Sequence, residues 1–292
     1  MFDGEDGVAR GARVVRLDRD FRWPGDRCVA ITFNVAFEGW SDGKTPGIGP
    51  MGNPLPLGAV DTNALSWAHY GPVRGIERLL GVLERVERRA NVMVSGIFAE
   101  RSPQVVQTIA AAGHDLVAHG YAQEIVPAKL SRQDNEANIA STTELLHSVA
   151  GIKPQGWISP RGTPGIDHAR LLLAAGYDWH GDAFDDDRPY LQVFPNGGIV
   201  AIPLTMEIND LPHAMRYGRS PRQFVEAFED LLDHVRRGDE ALTIDVTAHA
   251  HVYGRPAGAW AYEAIARKVR DLDDVWIATR SEIASYVRQV LG

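Results

Sequence analysis

Short apolar runs and longer amphipathic stretches take turns along this chain. The first run, residues 27–33 (RCVAITF), is apolar enough on both alternating faces to predict a fully buried strand. It leads into Asn34-Val-Ala-Phe-Glu38-Gly-Trp40. Residues 91–94, 116–118, 154–158, 177–179, 199–203, 241–246 and 275–277 repeat the strand pattern. Helical patterns fill the gaps. After the segment 70–75, apolar residues fall at Ile76, Leu79, Leu80, Val82, Leu83 and Val86, the spacing of one helix face. Pro103 opens a helix over 102–112, where its missing N–H costs nothing. Ser131 is an N-cap for a long helix to about residue 149, and Gly176 closes one over 166–175. Further helices are predicted over 221–237, 258–270 and from Ser281 onward. Strand–helix alternation with seven or eight buried strands predicts one α/β barrel over 28–292 rather than two domains. Residues 1–27 read as an N-terminal arm. Residues 41–66, rich in Gly and Pro, read as a long loop insertion of the kind that serves as a lid, a binding loop or an oligomer contact.

Composition narrows the class. With 292 residues, 45% of them hydrophobic, the chain can bury the core of one large barrel. The net charge of −8 and the lack of a basic block argue against nucleic acid as a partner. Cys28 is the sole cysteine, so neither an internal disulfide nor a multi-cysteine zinc site is expected. No run has the apolar length of a membrane span, and the charged N-terminus lacks the apolar core of a signal peptide. A cytoplasmic protein acting on a small-molecule substrate is the expectation. No Gly-rich phosphate loop is present.

The candidate chemistry gathers at strand ends. In GHDLVAHGYAQE, residues 113–124, the strand stops at His119 and Gly120, the position at which α/β barrels build active sites. Other strands end in Glu38, Arg161, Asp186 and Asp187, Asn209 and Asp210, and His249. Carboxylates, two imidazoles and a guanidinium make a hydrolase inventory. A carboxylate or imidazole takes a proton from water, and a cation or amide stabilises an oxyanion. Asp185–Asp187 also suits a solvated turn, and His213 and His251 read as peripheral.

In this order and spacing, RWPGDRCVAITFN, the segment 70–75, AAGHDLVAHGYAQE, GWISPRGTP, DDRPY, Asn209-Asp210 and HAHVYGRP resemble the polysaccharide deacetylase superfamily. The resemblance runs from about residue 23 to the C-terminus. It implies a distorted (β/α)7 barrel. Within the superfamily the chain looks most like the metal-independent branch of bacterial allantoinases and cyclic-imide hydrolases. That branch resembles this chain in Glu38, the lone His119, Gly156, Trp157, Arg161, Pro189, Tyr190, Asn209, Asp210, and His249 ahead of Gly254-Arg255-Pro256. The metal-dependent deacetylases differ at three places. Asn34 stands where they carry the catalytic-base aspartate, Ala36 where they carry the metal-binding aspartate, and Gln123 where they carry the second histidine. One histidine with neutral amides is a poor site for a divalent ion. No cofactor is therefore expected, with zinc on Glu38, His119 and His249 as the other outcome.

The resemblance implies a hydrolase of a non-peptide C–N bond, opening a small cyclic amide, imide or ureide by general acid–base catalysis. Glu38 or His119 would activate water and His249 would protonate the leaving nitrogen. Asn34, Arg161, Asp187, Asn209 and Asp210 would bind substrate, with Trp157 and Tyr190 as walls for a flat ring. A metal-dependent N-deacetylase of an acetylated sugar or amide is the alternative, and a catalytically inert small-molecule-binding barrel is another. Homo-oligomerisation is expected by carry-over from the allantoinase-like branch.

Overall fold

The computed structural model describes residues 11–46, 55–56, 59–238 and 240–292. Ten strands and nine α-helices are formed among these residues. In chain order they are β1 (Arg13–Arg16), β2 (Val29–Phe37), α1 (Thr62–Tyr70), α2 (Ile76–Arg85), β3 (Asn91–Val94), α3 (Ile97–Arg101), α4 (Pro103–Ala111), β4 (Asp115–Ala118) and α5 (Arg132–Ala150). There follow β5 (Gly156–Trp157), α6 (His168–Ala174), β6 (Trp179–His180), β7 (Tyr190–Phe194), β8 (Gly197–Ala201), α7 (Pro221–Val235), β9 (Leu242–His249), α8 (Pro256–Val269), β10 (Val275–Ile277) and α9 (Arg280–Leu291). The sheet order is β1-β7-β8-β6-β5-β4-β3-β2-β10, with β9 on β2. All pairings are parallel except β1–β7 and β7–β8.

This is the predicted α/β barrel, and its closure is irregular. Beyond β8 the chain runs beside β9 through one bridge, Asn209 to Thr247. Thr205 completes the seam, its N–H donating to Asp245 Oδ2 and its Oγ1 accepting from the Asp245 N–H.

Strand parity sorts the side chains. On β2, Val29, Ile31, Phe33, Val35 and Phe37 face the helices, in one apolar cluster with Leu79, Leu83, Phe228 and Ile265. Ala30, Thr32, Asn34 and Ala36 face the barrel interior, and Ala30 and Ala36 pack there with Met93, Val117, Ile158 and Trp179. Gly156 is required beside that indole, since a Cβ there would lie 1.9 Å from Trp179 Cε2. Deeper in the barrel, Arg280 and Asp245 form a buried ion pair at 2.6 Å. Arg280 also donates to the carbonyls of Ile202 and Pro203, while Asp245 accepts from Thr32 and Asn34.

Three expectations change. Residues 1–10 of the predicted arm lie outside the described residues. The rest of the arm belongs to the barrel: β1 pairs with β7, and Trp23 is buried with Nε1 donating to Leu242 O. Within the predicted 41–66 insertion, residues 47–54 and 57–58 lie outside the described residues, and α1 begins at Thr62. Asp61 caps it by accepting the Ala64 N–H, and Ala64, Trp67 and Ala68 bury one face. The helix then continues through a π-helical turn, Gly71–Gly75, into α2. The antiparallel β7 lies outside the predicted strand pattern; it turns into β8 through the two-residue loop Pro195-Asn196, with Phe194 paired to Gly197. Among the described residues no helix is long and apolar enough to cross a membrane.

Removing one partner of a buried ion pair leaves an uncompensated charge. Arg280→Met is expected to lower the unfolding free energy by about 3–5 kcal/mol in denaturant titration. Adding Asp245→Asn should recover at least about 1 kcal/mol of that loss. A single-variant loss under about 1 kcal/mol would show that the seam does not depend on this pair.

Candidate active site

The parity that points Asn34 and Ala36 inward carries Glu38 to the same side, one step past the end of β2. The backbone there is fixed from both neighbours. Gly39 N–H donates to Ser95 Oγ, and Ser95 Oγ also accepts from Gln123 Nε2. The same Gln123 nitrogen reaches His119 O. His119 follows β4 in register, and Gly120 behind it takes a left-handed φ of 67°. His249 is the last residue of β9, paired across from Ala36.

Three imidazoles surround the Glu38 carboxylate. His119 Nε2 lies 3.3 Å from Oε1, His249 Nε2 lies 3.7 Å from Oε1, and His251 Nε2 lies 3.8 Å from Oε2. All four side chains are buried. The far ring nitrogens decide the tautomers. His119 Nδ1 is 2.6 Å from Ile158 O, which only accepts, so Nδ1 carries a proton and donates. The Nε2–Oε1 contact is then a hydrogen bond only if His119 and Glu38 share a further proton. His249 Nδ1 donates to Asp210 Oδ1 at 2.6 Å. Asp210 Oδ2 accepts the N–H groups of His249 and Tyr253, at 2.8 and 3.0 Å. His251 Nδ1 is buried without a partner.

These contacts set the charges. Burial alone raises the Glu38 pKa, but His249, His119 and His251 outweigh it and bring it down to about 2. Burial opposes protonation of His249, but the Asp210 and Glu38 carboxylates raise its pKa to about 9. Burial lowers the His251 pKa to about 4, against the pull of Glu38. Near neutral pH the site thus holds an ionised carboxylate, an imidazolium at His249 and a neutral imidazole at His251.

The carboxylate opens into a cavity of about 680 Å³. Trp40, Leu65, Ala68, Pro72 and Phe98 line its apolar part. The cation on its wall, Arg101, is engaged by Trp40 O and Asp42.

The structure gathers Glu38, His119 and His249, with Asp210 hydrogen-bonded to His249, and holds the other sequence candidates apart. Asn34 is fully buried below the site, bonded to Asp245, Thr247 and Asn91. Trp157 is fully buried on the helix side, against His168 and Tyr177. Asp210 orients His249, and Asn209 Oδ1 accepts the Leu211 N–H of its own turn. Arg161 is exposed beyond β5, with a φ of 61°. Tyr190 donates to Asp185 and lies under Arg16 of β1. Asp187 O meets the Thr243 N–H. Thr243 stands six residues before His249 on β9, so Asp187 sits about 20 Å down the strand from the site. His251, read as peripheral, belongs to the site. β9 ends at His249, and residues 250–254 form a turn that brings the His251 ring beside Glu38, so no strand period in the sequence marked it.

The metal site of the deacetylases does not fit these residues. Ala36 offers no donor atom, and the Gln123 amide nitrogen is spent on Ser95 and His119. Among the described residues no group of three or more His, Cys, Asp or Glu side chains is disposed to hold a metal ion.

Comparison with known proteins agrees with the fold. The polysaccharide deacetylase family model matches residues 69–180. A peptidoglycan deacetylase of Helicobacter pylori is 25% identical over 242 residues, covering 72% of this chain and 82% of its own. A Mycobacterium smegmatis crystal structure named as a polysaccharide deacetylase is 27% identical, with a TM-score of 0.80, covering 94% of this chain and 96% of its own. The crystal structure named Puue Allantoinase is 24% identical, with a TM-score of 0.82, covering 91% and 92%.

The raised His249 pKa makes stability depend on pH. The group binds its proton more tightly folded than unfolded, so its contribution is complete below pH 6.5 and is lost as pH rises through about 9. Wild type minus His249→Asn, in unfolding free energy, should therefore shrink between neutral pH and pH 10. Asp210→Asn should lower the His249 titration midpoint by about one pH unit or more, read by NMR. An unmoved midpoint would mean that Asp210 does not hold the proton there.

Proposed function

Taking the chain as a member of the polysaccharide deacetylase superfamily, and so a hydrolase of a non-peptide C–N bond, we propose that it cleaves the amide of a small substrate at Glu38. The observation that carries this reading is the ionised Glu38 beside an imidazolium at His249, each buried and each held by named partners. On the substrate, the relatives' names support a deacetylase better than a ring-opening enzyme. The family model, the Helicobacter pylori relative and the Mycobacterium smegmatis structure all bear that name. The allantoinase likeness, at 24% identity, speaks for the fold alone. The first reading is therefore removal of an acyl group from an N-acetylated small amide.

The residues at the site favour a second reading, opening of a cyclic imide or ureide. Asn34, Ala36 and Gln123 supply neither the base nor the metal donors of a deacetylase. An imide nitrogen leaves more readily than an amide nitrogen because a second carbonyl spreads its charge, so it has less need of a Lewis acid.

The steps assigned to this chain's residues are the same for both. Glu38 takes a proton from water as the water oxygen attacks the carbonyl carbon. The tetrahedral intermediate collapses, the C–N bond breaks, and His249 Nε2 protonates the leaving nitrogen. As His249 gives up its charge, Glu38 loses the main cation that holds its pKa low, and its affinity for the water's proton rises. Asp210 keeps the His249 ring in place throughout. The products are a carboxylic acid and an amine from an N-acetylated substrate, or one opened chain that carries a carboxylic acid and an amide or ureido group.

The test is a panel of N-acetylated sugars and amides beside hydantoins, imides and ureides, with metal content measured on the protein as purified. Acetate release that stops with a chelator supports the deacetylase reading. Ring opening unaffected by a chelator supports the second. On the substrate that turns over, Glu38→Gln and His249→Asn are each expected to lower kcat by about 10²–10⁴-fold. Full activity in both variants would remove the assignment.

A further inference from the structure

His251 has no place in the steps above, yet its surroundings are those of a working group. Its ring is 2% exposed, with Trp40 edge-on at 5.3 Å and Trp67 at 4.6 Å between ring centroids. Nδ1 is buried with no hydrogen-bond partner, and the nearest carboxylate oxygen to Nε2, at 3.8 Å, is beyond hydrogen-bond range. A buried imidazole without a hydrogen bond is rare in a folded protein and marks a place completed by water or ligand.

The two oxygens of Glu38 differ in a way that tells which. Oε1 faces both His119 and His249. Oε2 faces His251. Oε2 is thus the oxygen left to take up a new proton.

We infer that His251 is a catalytic residue of this C–N hydrolysis, its Nε2–H and Glu38 Oε2 together holding the attacking water. Two atoms 3.8 Å apart are both reached by one water oxygen about 2.8 Å from each. That water accepts the Nε2–H and donates one of its protons to Oε2. A lone pair remains for the substrate carbonyl. In the step the water O–H bond breaks, its proton goes to Glu38 Oε2, the new C–O bond forms, and the carbonyl π electrons move to oxygen. His251 keeps its proton throughout. Its neutral state follows from the two indoles around it and the lack of a partner at Nδ1, in line with the lowered pKa. With no acceptor at Nδ1, the single proton belongs on Nε2, facing the carboxylate.

This role rests on the hydrolase reading, and the experiment separates the two. On protein labelled with ¹⁵N-histidine, NMR near neutral pH is expected to find His251 as the neutral Nε2–H tautomer, assigned by its loss in His251→Met. A neutral Nδ1–H form or an imidazolium overturns the inference without reference to any substrate. In kinetics, His251→Met should lower kcat by about 10²-fold with KM within about threefold. His251→Gln, which sets an amide nitrogen near the place of Nε2, should recover at least about tenfold of that loss. Unchanged kcat in His251→Met, while Glu38→Gln is inactive, overturns the inference and leaves the hydrolase reading standing. A loss confined to KM also overturns it, since that is the result of disturbed packing against Trp40 and Trp67. Should His251→Met fail to fold, assignment through His251→Gln lets the wild-type tautomer decide. Wild type inactive on every amide in the panel overturns the hydrolase reading and, with it, this role.

Discussion

The pairing of β2 with β9 is the constraint on which the site depends. Eight consecutive partners, from Val29 with Leu242 to Ala36 with His249, align the two strands without a break. Because side chains alternate, this register stacks Thr32 on Asp245, Asn34 on Thr247 and Ala36 on His249 inside the barrel, and puts Glu38 one step above. A slip of β9 by one residue would turn Ile244, Val246 and Ala248 inward and send Asp245 and His249 to the helices. The apolar faces of both strands, packed under α2, α7 and α8, hold the register against that slip.

The barrel interior has two polar levels with opposite designs. The lower level, around Arg280 and Asp245, answers its charge with charge and with backbone carbonyls, and closes the seam where regular strand pairing stops. The upper level keeps Glu38 ionised beside an imidazolium, but leaves its Oε2 and the His251 ring without close hydrogen bonds. A filled network rigidifies, while an incomplete one at the mouth of a cavity has bonds to give to a substrate or water.

Two π-helical segments border the site, Gly71–Gly75 between α1 and α2 and Leu211–Arg216 directly after Asp210. Such wide turns are common beside functional groups because they let a helix shift a residue without ending. At the first, Gly75 lies so close to the chain beyond β9 that a Cβ would fall 1.8 Å from Ala250 O. That approach sets α1, and with it Trp67, against His251. The other indole on His251, Trp40, comes from the opposite end of the segment that joins β2 to α1. Both ends of the insertion thus meet on one imidazole.

Much of this was legible in the sequence. The apolar runs reported the parallel strands, and polar residues at the ends of β2, β4 and β9 reported Glu38, His119 and His249. These are local signals, because a strand's period and its end are written in neighbouring residues. Other features escaped for a shared reason. Trp157 packs under the helices because Gly156 gives its space to Trp179, a residue from the next strand. Asn34 is spent on Asp245, and Asp210 on His249, through pairings across long stretches of chain. His251 becomes part of the site only when Trp40 and Trp67 close on it. The sequence by itself determined where the parallel strands lie and which polar residues stand at the ends of β2, β4 and β9. The tertiary structure decided which of them meet, which nitrogen keeps its proton and which carboxylate stays charged, because burial and facing partners set those outcomes and both arise only when distant strands pair.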